Sequence, residues 1–254
     1  MGCPGTIPKP PAPDRPEYVA ASDKLIRLVK TLSAVPVLHQ KRRKTITVHP
    51  PLFDTQASFD SSPGSRPPSG YDLLLIGAST GGPPVVSGIV ERLSRPCPVP
   101  IIVVQHITKG FAAGFAEWLA HAARRPTKLV NSSAMLEAGT VYIASDDADL
   151  VFTSARTVRS KQEPDTRGPN PNIDRLFLSA AQYVSTRTIA LLLTGMGADG
   201  AAGLAALQRA GATAAVQDPE TCAVDSMPRS AIKMGVRKSL TPDQIVGFLN
   251  RRLK

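Results

Sequence analysis

From residue 71 onward, short and wholly apolar runs alternate with longer segments whose apolar residues recur every three or four positions. Residues 73–76, 100–104 and 189–193 are runs of the first kind, the pattern of strands covered on both faces of a parallel sheet. Residues 84–93, 112–123, 173–183 and 201–210 have helical spacing, and a further strand is expected at 213–216. The final helix has an explicit start, because Thr241, Pro242, Asp243 and Gln244 make a capping box with Pro at the first helical position. Residues 140–144 and 150–152, separated by Ser145, Asp146 and Asp147, predict an antiparallel hairpin. Repeated strand–helix units predict an α/β fold: a doubly wound, mostly parallel sheet with helices on both faces and one antiparallel hairpin. No internal repeat of fixed period is present.

The first 70 residues read differently. They hold half of the 24 prolines, and ten of the thirteen residues from 58 to 70 are Ser, Pro or Gly, the composition of a flexible linker. After Ser22 or Asp23, the spacing of Leu25, Ile26, Leu28, Val29 and Leu32 predicts one amphipathic helix over about 22–32. It is too short to be stable alone in water. The expected organisation is a Pro-rich tail and linker over 1–70 and one catalytic domain over 71–254. The opening Met1, Gly2, Cys3, Pro4, Gly5 and Thr6 formally fit a loose N-myristoylation pattern.

Composition narrows the class. With 254 residues, 42% of them hydrophobic, the chain can bury a sizeable core. No apolar run approaches the roughly 18 residues of a membrane span, and no charged-then-apolar leader opens the chain, so a cytoplasmic protein without membrane insertion is expected. Cys3, Cys97 and Cys222 are scattered and lack metal spacing, which predicts neither a disulfide framework nor a zinc site. The net charge of +10 divides into +5 before residue 70 and +5 after it, with Lys41, Arg42, Arg43 and Lys44 as the one basic cluster. A solvated tail accounts for that cluster, and nothing has the spacing of a nucleic-acid-binding motif.

In open α/β sheets, ligands bind beyond the carboxyl ends of the strands. The first strand delivers Gly77, Ala78, Ser79, Thr80, Gly81 and Gly82; the second delivers Gln105 and His106; a later one delivers residues 194–200, ending in Asp199 and Gly200. A hydroxyl, an imidazole and a carboxylate in strand-to-helix turns are the parts of a Ser-His-Asp triad. Ser79 occupies a Gly-x-Ser-x-Gly elbow, whose glycines allow a sharp turn and whose following helix offers backbone N–H groups to an oxyanion. His106 is the only one of four histidines that closes a buried strand. For the carboxylate, Asp199 and Asp218 both follow strand ends, and spacing does not separate them. Asp199 could equally be an N-cap, a role whose geometry an Asn would largely keep, so Asp199→Asn is expected to spare stability. The α/β-hydrolase order of Ser, acid, His fails, because no Asp lies between Ser79 and the last histidine, His121, and the only Glu residues there, Glu91 and Glu117, lie within predicted helices. A dinucleotide-binding oxidoreductase would need an acidic residue at the end of the second strand, where Gln105 and His106 stand. A catalytically silent α/β binding module is the other alternative.

Taken together, residues 76–82, 104–106, 141–144, 171–177, 193–200, Gln217, Asp218 and 227–229 resemble the catalytic domain of the chemotaxis-receptor methylesterases (CheB), over essentially all of 72–254. The resemblance implies hydrolysis of glutamate γ-methyl esters on the cytoplasmic helices of chemoreceptors, with glutamine deamidation at the same sites. It implies Ser79 as nucleophile, His106 as base and Asp199, rather than Asp218, as the orienting carboxylate. The N–H groups around Thr80 and Met196 are the oxyanion candidates. No metal or organic cofactor is expected, and a monomer is favoured. Members of the family carry a phospho-acceptor receiver domain before the linker. Here none of Asp14, Glu17, Asp23, Asp54 and Asp60 follows a buried strand, so activity independent of a phosphodonor is expected.

Overall fold

The chain divides into two units, Met1–Ser62 and Pro63–Lys254. A computed structural model describes residues 70–162 and 171–253, with Pro16, Tyr18, Val19 and Ser22 the only other described positions. The expected basic cluster, the 58–69 linker and all of the 22–32 helix but Ser22 lie outside them.

The strands are β1 (Leu73–Ala78), β2 (Ile101–Gln105), β3 (Thr127–Val130), β4 (Ser133–Met135), β5 (Val141–Ala144), β6 (Asp149–Ser154), β7 (Thr157–Lys161), β8 (Thr188–Leu192), β9 (Thr213–Gln217) and β10 (Ser239–Leu240). The helices are α1 (Gly82–Glu91), α2 (Ala112–Ala123), α3 (Ile173–Tyr183), α4 (Ala201–Arg209), α5 (Ser226–Lys233) and α6 (Pro242–Arg252). Seven strands form one sheet in the order β10-β9-β8-β1-β2-β5-β3, with every neighbouring pair parallel. A second sheet, β4-β7-β6, is antiparallel.

Continuous apolar runs become central strands because each successive side chain meets a different core. Leu74, Ile76 and Ala78 of β1 join the core beneath α1, α2 and α6, whereas Leu73 and Leu75 join the one beneath α3, α4, α5 and the small sheet. All six residues of β1 are buried, and a fully buried Leu or Ile side chain contributes about 1.5–3 kcal/mol. The chain leaves β1 toward β2 on one side and leaves β8 toward β9 on the other. The crevice where a doubly wound sheet takes its ligand therefore lies at the carboxyl ends of β1 and β8.

The expected hairpin at 140–152 does not form. β5 pairs in parallel with β2 and β3 inside the large sheet, while β6 crosses to the small sheet and makes the antiparallel pair with β7. Turn-like residues between two strands do not dictate that the strands pair. All four residues of β5 are buried, as suits a strand between two neighbours. Helix α5 and strands β3, β4, β7 and β10 were not expected.

Gly77 has a different task from the one its motif suggests. It lies inside β1, and a Cβ built on it would fall 2.4 Å from Ile173 Cγ2 and 3.3 Å from Phe177 Cζ. Its bareness lets the start of α3 press onto the strand end. The turn itself is made by Gly81, at φ 78°. Gly77→Ala should therefore cost about 1–3 kcal/mol by overpacking. Gly88, mid-helix in α1 with open space around its Cα, should give the opposite sign, with Gly88→Ala stabilising by about 0.4–1 kcal/mol. Urea denaturation of the two variants beside the wild type checks both signs.

Candidate active site

β1 and β2 run in parallel register with Ala78 opposite Gln105, and the His106 N–H donates to the Ala78 carbonyl at 3.0 Å. Ser79 and His106, the next residues on the two strands, therefore emerge side by side. The Ser79 N–H donates to the Thr194 carbonyl at 3.0 Å, which ties the elbow to the turn after β8. That turn fits closely: a Cβ on Gly195 would lie 2.6 Å from Ser79 Cβ. Thr194 is itself held, its N–H donating to Gln217 Oε1 at 3.0 Å and its hydroxyl lying 2.9 Å from the Thr80 carbonyl.

The same turn carries Asp199 to His106. His106 Nε2 lies 2.7 Å from Asp199 Oδ2, with the two side chains 13% and 8% exposed. Because an ionised carboxylate only accepts, Nε2 carries the proton in this pair, which leaves Nδ1 as the ring nitrogen with a lone pair. The Ser79 hydroxyl has no hydrogen-bond partner among the described residues, the loose geometry usual before substrate arrives.

The Asp199 carboxylate does more than touch the imidazole. Oδ2 also accepts the Ile173 N–H at 2.7 Å, and Oδ1 accepts the N–H groups of Asp174 and Gly200, each at 3.0 Å. Asp199 is therefore a helix cap, but of α3 and not of the helix that follows it, whose N-cap is Gly200 at φ 84°. Asp174 returns the favour from α3: its Oδ1 accepts the Gly203 N–H at 2.6 Å, in the first turn of α4. Burial pushes the Asp199 carboxyl up, but the His106 hydrogen bond and the backbone N–H groups outweigh it and leave it below the ordinary carboxylate range. Asp174 goes the other way, raised by burial and then by the Asp199 charge against the pull of the Gly203 N–H.

Of the residues expected at the site, Ser79, His106 and Asp199 come together. Asp218 does not; it caps the short helical turn Pro219–Thr221, accepting the Glu220 N–H at 3.1 Å. The N-terminus of α1 is a poorer oxyanion site than the motif suggested. The Gly82 N–H is spent on the Ser79 carbonyl at 2.8 Å, and the next two residues are Pro83 and Pro84, which have none. What remains are the N–H groups of Thr80 and Met196, neither of which has an acceptor among the described residues. Met196 is 74% exposed at the mouth.

Three supporting residues were given no role by the sequence, although Asn172 lies in the 171–177 block that carries the resemblance. Asn172 caps α3 by accepting the Arg175 N–H at 2.9 Å, and buried Asp149 holds it by accepting the Asn172 N–H at 2.7 Å. Asp146, in the loop after β5, accepts the N–H groups of Gly110 and Ala112 at 2.7 and 3.0 Å and so anchors the loop that follows His106. An Asp in a loop reads as a turn residue, and nothing in its local sequence says that it caps a helix 34 residues away.

The CheB methylesterase family model matches residues 74–249. A protein-glutamate methylesterase/protein-glutamine glutaminase of Hahella chejuensis is 33% identical over 249 residues, 96% of this chain and 68% of that one. A relative of the same name from Anaeromyxobacter dehalogenans is 35% identical over 251 residues, 98% of this chain and 70% of that one. The crystal structure of the Thermotoga maritima CheB methylesterase catalytic domain, 31% identical, covers 71% of this chain and 98% of its own, with a TM-score of 0.67. The aligned stretch of the relatives thus reaches into most of residues 1–70, beyond the family match.

The geometry changes the expectation for Asp199→Asn. An amide offers one acceptor oxygen where the carboxylate uses two, so at least two of the four donors would face an NH2 group. The substitution should cost about 1–3 kcal/mol. A depressed folded pKa contributes stability that is present above the unfolded value, about 3.9, and lost as pH falls through the folded one. Urea midpoints measured from pH 7 down to pH 3 should show a shallower acid limb for Asp199→Asn than for the wild type.

Proposed function

The chain belongs to the CheB methylesterase family, and on that premise we propose how its own residues hydrolyse protein glutamate γ-methyl esters. The observation that carries the reading is the 2.7 Å bond between His106 Nε2 and Asp199 Oδ2, beside a serine whose hydroxyl has no partner among the described residues.

Ser79 Oγ attacks the ester carbonyl carbon while its proton passes to His106 Nδ1. Asp199 holds the ring in the tautomer that leaves Nδ1 a lone pair, and its negative charge stabilises the imidazolium that forms. The oxyanion of the tetrahedral intermediate is met by the N–H groups of Thr80 and Met196, whose unused donors support that role. Collapse breaks the ester C–O bond, and the leaving methoxide takes the proton from His106 as methanol. The glutamyl ester of Ser79 remains. Water then loses a proton to His106 and attacks the acyl carbon, and Ser79 leaves with that proton to give the glutamate side chain. With a glutamine side chain the same steps would release ammonia, in keeping with the second half of the relatives' name. The substrate we infer is the methylated cytoplasmic helix of a chemoreceptor, met in the cytoplasm; no described helix is long and apolar enough to cross a membrane.

Methanol released from methylated receptor membranes measures the reaction. Ser79→Ala should lower the rate by at least about a thousandfold, and Asp199→Asn by on the order of 10³–10⁴-fold, while Asp218→Asn should leave it within about twofold. Wild-type release by Ser79→Ala would remove the nucleophile; a larger loss in Asp218→Asn than in Asp199→Asn would move the carboxylate role. Acetyl phosphate added to the 1–254 chain should leave the rate unchanged, and a several-fold rise would show control by a phosphoryl group.

A further inference from the structure

Gln105, the last residue of β2, sits between the nucleophile and the base in a way the mechanism has not used. Its side-chain nitrogen donates to two main-chain carbonyls, that of Ser79 at 2.8 Å and that of His106 at 3.0 Å. Both N–H bonds of the amide are thereby consumed. Its Oε1 is buried and has no hydrogen-bond partner, alone in this respect among the described side chains. The amide cannot be turned round, because Oε1 would then face two carbonyl oxygens.

An orphaned buried acceptor is a cost that calls for a reason. Gln105 is 3% exposed, so a methionine of similar volume would fill the space without the orphaned oxygen, but it would take from the His106 carbonyl the donor it has here. The surrounding chain also accommodates the glutamine: a Cβ on Gly82 would fall 2.3 Å from Oε1. What the amide supplies is a bridge. The β1–β2 ladder ends with the His106 N–H on the Ala78 carbonyl, and beyond it, among the described residues, Ser79 and His106 are joined through this planar group.

We propose that Gln105 is a positioning residue that fixes the separation of Ser79 Oγ and His106 Nδ1 by tying both main chains to one rigid amide. The inference rests on the reading of Ser79 and His106 as nucleophile and base. Its substitutions form a graded series: glutamine gives two donors, a buried and therefore protonated glutamate gives one O–H, and methionine gives none.

The test compares the full wild-type chain with Gln105→Met, Gln105→Glu and Ser79→Ala. It reads kcat and KM for methanol release, the folded fraction by circular dichroism at the assay temperature, and crystal structures. Gln105→Met should lower kcat by about 100-fold, the order of loss from a misplacement of about 1 Å, with KM within about twofold and the folded fraction unchanged. Gln105→Glu should fall between the two. A Gln105→Met kcat within about threefold of wild type, or a loss that merely tracks the folded fraction, overturns the proposal. Should Gln105→Met not fold, Gln105→Glu decides alone: about a tenfold loss at full folding supports the bridge, and wild-type kcat overturns it. If Ser79→Ala keeps wild-type release, the nucleophile reading fails separately. The crystal structures then judge Gln105: a longer Ser79–His106 separation in Gln105→Met upholds the bridge, and an unchanged one overturns it.

Discussion

One carboxylate holds the catalytic end of this fold together. Asp199 receives four hydrogen bonds, from the His106 ring, from the first two N–H groups of α3 and from Gly200. A helix N-terminus leaves its first N–H groups unpaired and carries partial positive charge. Bringing it to Asp199 satisfies the helix and stabilises the anion at once. The same anion fixes the imidazole, so the orientation of the His106 ring and the seating of α3 depend on a single group.

That arrangement is reachable only because the backbone is bare where α3 arrives. Ile173 fills the space that side chains at Gly77 and Gly200 would occupy. The glycines that read as elbow or turn residues thus also act as packing residues, and their effect at the site is indirect: they bring the Ile173 N–H within reach of the carboxylate. Reciprocal capping completes the contact. Asp174 of α3 caps α4, and Asp199, just before α4, caps α3. The pKa values of the two half-buried carboxylates part, with Asp199 drawn down by its donors and Asp174 pushed up by burial and then by its neighbour's charge. The carboxylate that pairs with the imidazole is the one given the most donors.

Elsewhere at the site, neutral groups do the positioning. Thr194 links the elbow to the β8 turn, Gln217 holds Thr194, and the Gln105 amide spans Ser79 and His106. Keeping these positions uncharged leaves the Asp199 carboxylate as the charge that acts on the imidazole.

Much of this was legible in the residues themselves. Runs such as 73–76 and 189–193 fit strands buried on both faces, being short, continuously apolar and bounded by turn residues. A parallel sheet then forces Ser79, His106 and Asp199 to the same edge, since every strand ends on the same side. The choice between Asp199 and Asp218 was not legible from spacing, nor was the hairpin's true partner, nor the roles of Asp146, Asn172 and Gln105. Each depends on which distant backbone group a side chain meets. An Asp after a strand looks the same whether it caps its own helix, as Asp218 does for its short turn, or reaches 26 residues back to cap another, as Asp199 does. Local sequence determines the element and the edge of the sheet on which a residue emerges. Hydrogen-bond partners are set by packing between elements far apart in the chain, and that is decided only when the two faces of the sheet are closed.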